Sequence, residues 1–200
     1  RHLKGLTWFP TGPGTCAMTF FSLTLSALGE PTAALCSGGV EMRPKPFNPE
    51  PFGNNKPYVR DETDGRVWHR CETRVLYADT DRSGLVYHSN YFRFFELGRA
   101  TLMRDTAYPY REIEAGGHIY PIIEVGVKYH SSLRYDDPMW IHTTPGKLER
   151  VRLQFDYIIT HGETGEIVAK GFTRHCALNA SGTPVAIDEK TRHLWKVFPK

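Results

Sequence analysis

The sequence has little cysteine, and what it has is poorly placed for cysteine chemistry. Cys16, Cys36, Cys71 and Cys176 include no CxxC pair, which excludes a zinc ribbon and a thioredoxin-type redox centre. The four do not read as a disulfide framework and fit a reducing, cytoplasmic compartment. Basic runs are also missing. Lys and Arg number 25 against 22 Asp and Glu, so the net charge is only +3 and no nucleic-acid partner is expected. None of His118, His130, His142, His161, His175 and His193 has H-x-x-x-H spacing, so no metal site is expected either. A membrane span needs roughly 20 mostly apolar residues. The uncharged run 5–29 is broken by Pro10 and Pro13, only 16–28 is mainly apolar, and no span is expected.

Proline and glycine are present but unevenly spread. Eight of 14 prolines and eight of 18 glycines fall in residues 1–65. Residues 42–57 (MRPKPFNPEPFGNNKP) place five prolines in sixteen positions, which disfavours helix and sheet and reads as extended linker. The chain thus divides into a disordered, extended or non-native leader, 1–65, and a domain, 66–200. A secretory signal is the alternative for the start of the leader. Arg1 and Lys4 precede the apolar run, and Ala27-Leu28-Gly29 could form a small-residue cleavage site. The sequence begins without methionine, and Met42 would serve as a start. A domain of the size of 66–200 buries roughly two-thirds of its unfolded surface, enough for a core.

Within that domain, residues 68–78 (WHRCETRVLYA) are rich in β-formers and lead into the turn-rich segment DTDRSG. Residues 89–105 (SNYFRFFELGRATLMRD) read as a helix, with Ser89 or Asn90 as cap. Tyr91, Phe94, Phe95, Gly98 and Leu102 share its apolar face, while Arg93, Glu96, Ala100 and Arg104 share the other. Residues 109–115 form a second short helix, stopped by Gly116-Gly117. The period then changes. Residues 119–131, 139–149, 151–161 and 166–178 read as strands, and 188–197 as a closing helix. Short connections make neighbouring strands antiparallel. One long apolar helix against one antiparallel sheet is an α+β two-layer domain.

The chemistry is concentrated in residues 77–96 (YADTDRSGLVYHSNYFRFFE). Asp79 and Asp81 occupy a strand-to-helix turn, and His88 lies just before the helix. A helix start offers free N–H groups and positive dipole density, suited to polarising a carbonyl. A nearby carboxylate can attack it or activate water. Turn aspartates also commonly bond their own backbone, so a local structural role stays open for each. Calcium is disfavoured: counted from Asp79, position twelve is Asn90 where a bidentate Glu is needed, and a strand precedes the loop.

The pattern Y-x-D-T-D-x-x-G-x-V-Y-H-x-N-Y, followed by F-x-x-F-F-E, resembles the signature of the 4-hydroxybenzoyl-CoA thioesterase family, in particular its short-chain acyl-CoA thioesterase branch. The resemblance extends over about residues 68–185, including Val127-Lys128-Tyr129 and the Tyr135-Asp136-Asp137 turn. It implies a hotdog fold, an antiparallel sheet wrapped around one long α-helix. It implies hydrolysis of an acyl-CoA to free acid and CoA, with CoA as part of the substrate and no separate cofactor. It gives Asp81 the role of catalytic carboxylate, nucleophile or general base, and Asp79 a structural one. His88 is implied as substrate-orienting or proton-transferring. Gly84 permits the tight turn, and Tyr87 accompanies His88. Asn90 and Tyr91 begin the helix whose amides are expected to face the thioester carbonyl. The chain departs from relatives at Arg82-Ser83, at the mouth of the site.

The resemblance further implies a homodimer or homotetramer, with the site between subunits. The CoA phosphates require cations, and Arg150, Arg152, Lys170 and Arg174 are available, although ordinary solvated charge is an adequate reading of each. Two rivals remain. One is a hotdog hydratase or dehydratase acting on an enoyl or hydroxyacyl thioester; the D-x-D turn before Tyr-His speaks for the thioesterase. The other is a non-catalytic acyl-thioester-binding module, for which Asp81 would be superfluous.

Overall fold

A computed structural model describes residues 45–53 and 57–199. Cys16, Cys36, Met42 and the apolar run at 5–29 lie outside the described residues. The elements run β1 (Pro49–Pro51), β2 (Tyr58–Asp61), β3 (Val67–Arg74), α1 (Asn90–Asp105), α2 (Tyr110–Ala115), β4 (His118–Ile119), β5 (Ile122–Tyr129), β6 (Pro138–Leu148), β7 (Arg152–His161), β8 (Ile167–Cys176), β9 (Leu178–Asn179) and α3 (Glu189–Val197). Seven strands form one antiparallel sheet in the order β1-β2-β3-β6-β7-β8-β5, and β4 pairs with β9. With α1 packed on that sheet, this is the expected α+β hotdog arrangement.

The helix lies very close to the sheet, and two glycines permit it. A Cβ on Gly98 of α1 would come 2.7 Å from Ile141 Cγ2, and one on Gly171 of β8 would meet the Phe95 ring at 2.6 Å. Phe95 therefore stacks flat on Tyr157, with centroids 4.4 Å apart and planes at 11°. Tyr91, Phe94, Phe95, Gly98 and Leu102 are all buried, as the helical period requires. Each such large side chain contributes about 1.5–3 kcal/mol.

Three expectations need correction. The first is the boundary at residue 65. β1 and β2 extend the sheet beyond β3, Tyr58 and Val59 are buried, and Phe47 packs edge-on against Trp68 and His142. Proline is compatible with sheet when it sits on an edge strand, where its missing N–H faces away from the ladder. Pro49 and Pro51 occupy the outermost strand, so the proline count did not exclude sheet here.

The second concerns strand neighbours. The short link after β5 does not make β5 and β6 adjacent; β5 pairs with β8 at the far edge. Residues 130–137 instead cross the end of the sheet. Eight extended residues reach roughly 26 Å, more than the roughly 15 Å spanned by three strand spacings.

The third concerns strand ends. β3 stops at Arg74 and the chain tightens into a 3₁₀ turn at Tyr77–Asp79. The expected strand over 119–131 is two strands separated by Tyr120 and Pro121.

The closing helix is tied down by Asp188, its N-cap. The Asp188 carboxylate accepts from the Thr191 amide at 2.8 Å, from the Thr191 hydroxyl, and from the phenols of Tyr108 and Tyr120. Burial alone would raise this carboxyl, but the bonds from Thr191, Tyr120 and Tyr108 hold it below its ordinary value. Beneath α3, His175 Nδ1 donates to the Tyr120 carbonyl at 2.9 Å, so Nε2 accepts from Arg99 at 2.8 Å. Burial and the Arg99 charge push His175 down to about 4, leaving it neutral. Cys71 and Cys176 are free thiols.

Candidate active site

The loop between β3 and α1 is organised around Asp79. Its carboxylate is 1% exposed and accepts from the Leu76 amide at 2.9 Å and from Arg93 Nη1 at 2.6 Å. Its carbonyl accepts from the Tyr87 amide at 2.9 Å and from Asn90 Nδ2 at 2.8 Å. One residue thus binds the turn before it, the segment that leads into the helix and the first turn of α1. That is a structural role.

Asp81, two residues on, is left in the open. Its amide donates to the Leu85 carbonyl, and its own carbonyl accepts the Gly84 amide, both at 2.9 Å. Gly84 has φ of +75°, a left-handed conformation that a side chain would strain. The Asp81 Oδ1 atom accepts the Ser83 amide at 2.7 Å and the Ser83 hydroxyl. These bonds from Ser83 hold the carboxyl below its ordinary value, and the Leu85 backbone and His88 add to the effect. Oδ2 has no hydrogen-bond partner among the described residues. Asp81 is therefore an ionised, solvent-facing carboxylate with one free oxygen.

The start of α1 differs from the expected cap. Ser89 makes no side-chain cap bond, and the Asn90 side chain reaches back to Asp79 instead. The Asn90 amide, expected to face substrate, is taken by the Tyr87 carbonyl at 2.9 Å, and the Phe92 amide by Ser89 at 3.2 Å. The amides of His88, Ser89 and Tyr91 find no acceptor among the described residues. Sequence reading named Tyr91 but missed the other two, because backbone hydrogen bonding leaves no trace in residue type. The Tyr91 ring itself is core, packed on Phe94 and Tyr129. His88 and Tyr87 are exposed side by side, ring centroids 4.3 Å apart.

One loop–helix junction thus carries Asp81, Gly84, Tyr87, His88, Asn90 and Tyr91. It presents a carboxylate, an imidazole and free N–H groups at a positive helix end. That combination can hold a carbonyl, stabilise negative charge on its oxygen and deliver an oxygen nucleophile to its carbon. Arg93 and Tyr129 are positioned here too; the sequence placed Arg93 on the outer face of the helix and Tyr129 within the resemblance, and gave neither a role at the site. The Tyr129 hydroxyl donates to the His88 carbonyl at 2.7 Å.

Two of the basic side chains named for the CoA phosphates have partners in the chain: Arg174 binds Glu124 and Gln154, and Lys170 donates to the Lys45 carbonyl at 3.0 Å. Among the described residues, no group of three or more His, Cys, Asp or Glu converges as a metal site, and no helix is long and apolar enough to cross a membrane.

Residues 75–194 match the family described as the thioesterase-like superfamily. A solved structure of a protein from Aquifex aeolicus superposes with a TM-score of 0.60 at 31% identity, over 63% of this chain and 98% of that one. A DHNA-CoA thioesterase from Staphylococcus aureus superposes with a TM-score of 0.57 at 28% identity, over 66% and 84% of the two chains. The acyl-CoA thioester hydrolase YbgC of Escherichia coli is 30% identical over 94 residues, 47% of this chain and 70% of its own length.

Proposed function

The chain belongs to the thioesterase-like superfamily, a group of thioester hydrolases, and we propose that it hydrolyses an acyl-CoA to the free acid and CoA, as a member of the short-chain acyl-CoA branch related to 4-hydroxybenzoyl-CoA thioesterase. The observation that carries this reading is the pairing, within the one loop between β3 and α1, of the free Asp81 carboxylate with the unengaged amides of His88 and Ser89. The thioester oxygen takes hydrogen bonds from those amides. Asp81 attacks the acyl carbon, or removes a proton from the water that does. The C–S bond breaks, the thiolate of CoA leaves and takes up a proton, and water supplies the second oxygen of the acid. His88, beside the loop, orients the thioester or carries that proton.

Asp81 is exposed in the single chain, whereas carboxylate chemistry on a thioester profits from exclusion of water. A second copy supplies that cover. β5 is an edge strand whose Ile122, Ile123, Val125 and Tyr129 are all substantially exposed, and Tyr129 reaches the His88 carbonyl. The opposite edge, β1, is closed to pairing by Pro49 and Pro51. The assembly proposed is therefore a homodimer joined at β5, alone or within a tetramer.

The test is thiol release from a panel of short aliphatic, long aliphatic and aromatic acyl-CoA substrates. Turnover of at least one, abolished by Asp81→Asn, is expected. Hydration of an enoyl-CoA without thiol release would overturn the reading in favour of a hydratase.

A further inference from the structure

Two consecutive peptides before α1 have their carbonyls held and their amides free. The Tyr87 carbonyl accepts the Asn90 amide at 2.9 Å, and the His88 carbonyl accepts the Tyr129 hydroxyl at 2.7 Å. In a planar trans peptide, C=O and N–H point in opposite directions. A held carbonyl therefore aims the amide that follows it. The Tyr87 carbonyl aims the His88 amide, and the His88 carbonyl aims the Ser89 amide.

The two bonds differ in origin. The first is local and comes with the turn into the helix. The second crosses from the last residue of β5, 41 positions along the chain, and is the one hydrogen bond to the His88 carbonyl among the described residues. The Tyr129 ring is seated edge-on against the buried Tyr91 with centroids 5.1 Å apart, and that contact on one face directs its hydroxyl.

We propose that Tyr129 is a positioning residue: its hydroxyl fixes the His88–Ser89 peptide so that the Ser89 amide joins the His88 amide in facing the thioester oxygen. This rests on the thioesterase reading for its chemistry, though not for its geometry. The bond also polarises the peptide it holds, which strengthens the Ser89 N–H as a donor. Desolvation raises the Tyr129 phenol above its ordinary value, so it remains a donor throughout the neutral range.

The test is Tyr129→Phe, which keeps the ring on Tyr91 and removes only the hydroxyl. Two readouts separate the geometry from the chemistry. In the amide ¹H–¹⁵N spectrum of the full chain, loss of the bond to the His88 carbonyl moves the Ser89 ¹⁵N resonance upfield, while that of Ser83, beside Asp81, stays in place. In thiol-release kinetics, kcat falls on the order of tenfold while KM stays within about twofold, since a whole oxyanion donor is worth on the order of 10²–10³ in kcat. An unmoved Ser89 resonance, or a kcat within about twofold of wild type, overturns the proposal. If the wild type cleaves no acyl-CoA yet Ser89 shifts as described, the positioning stands and the thioesterase reading falls.

Discussion

Arg93, one turn into α1, reaches back 2.6 Å to the buried carboxylate of Asp79 and binds the helix to the loop that precedes it. The Arg93 side chain is more than half exposed, so its charge stays hydrated, while Asp79 has no solvent of its own. The two partners are therefore unequal. Arg93→Ala leaves a buried carboxylate with the Leu76 amide as its remaining side-chain bond. Asp79→Ala leaves a solvated guanidinium and an unpaired amide. Hydrogen bonds to charged groups contribute about 1.5–3 kcal/mol each. Arg93→Ala is expected to lower unfolding free energy by about 2 kcal/mol, read from urea midpoints, and to reduce kcat although Arg93 does not touch substrate. Full activity in Arg93→Ala would show that the loop holds its shape without the helix.

The Asp81 carboxyl has a different dependence, since it is exposed and controlled by Ser83. The proposed mechanism requires its ionised form. Its pKa is lowered chiefly by the side chain and amide of Ser83, so activity persists as pH falls past the ordinary carboxylate value and is lost only below it. Ser83→Ala removes the hydroxyl bond. The Asp81 pKa then rises toward its ordinary value, and the acid limb of the kcat/KM profile moves to higher pH. Asp81→Asn removes the limb together with activity, on the order of 10²–10⁴ in kcat, with little effect on affinity. An acid limb unmoved by Ser83→Ala would mean that another group sets it.

Truncation tests the corrected domain boundary. A chain begun at Asp64 lacks β1 and β2, the buried Tyr58 and Val59, and the Phe47 contact over Trp68 and His142. Losing three such apolar contacts costs about 5 kcal/mol, a large share of a typical domain's stability. Soluble yield and melting temperature are both expected to fall sharply relative to a chain begun at Lys45. Equal melting temperatures for the two would restore the boundary at residue 65.

That boundary marks where the residues stopped being informative. The α1 register was legible because Tyr91, Phe94, Phe95, Gly98 and Leu102 repeat at the helical period, and a helix keeps its face whatever surrounds it. β2 is four residues long and follows five prolines, too short for its alternation to stand out. The place of β5 beside β8 was not legible either, since chain order does not encode spatial order once a link can cross the end of the sheet. At the site, Asp81 and His88 carry side-chain chemistry and show in the sequence. The His88 and Ser89 amides are backbone groups that leave no mark in residue type, and Tyr129, though inside the resemblance, acts from another element, so no local pattern assigns its role.

Assembly is the last expectation, and it follows from which surfaces are left open. Among the described residues two edges end the sheet, and β5 is the better suited to accept a strand. β1 is three residues with proline at both ends, whereas β5 offers eight residues with exposed Ile122, Ile123 and Val125. β5 also ends in Tyr129, whose hydroxyl bears on the His88 carbonyl, so a partner on this edge would lie against the candidate active-site loop. A stable pair is expected to bury over about 2,000 Å² in total. Light scattering over a dilution series, with specific activity measured on the same samples, reads both properties. The expected result is a dimer, or a dimer of dimers, whose activity falls as it dissociates. Ile123→Lys places a charge on the edge and is expected to give monomers with Asp81 intact and turnover lost. A monomer with full specific activity would show that each chain holds a complete site, and the inter-subunit part of the mechanism would then be wrong even with Asp81 essential.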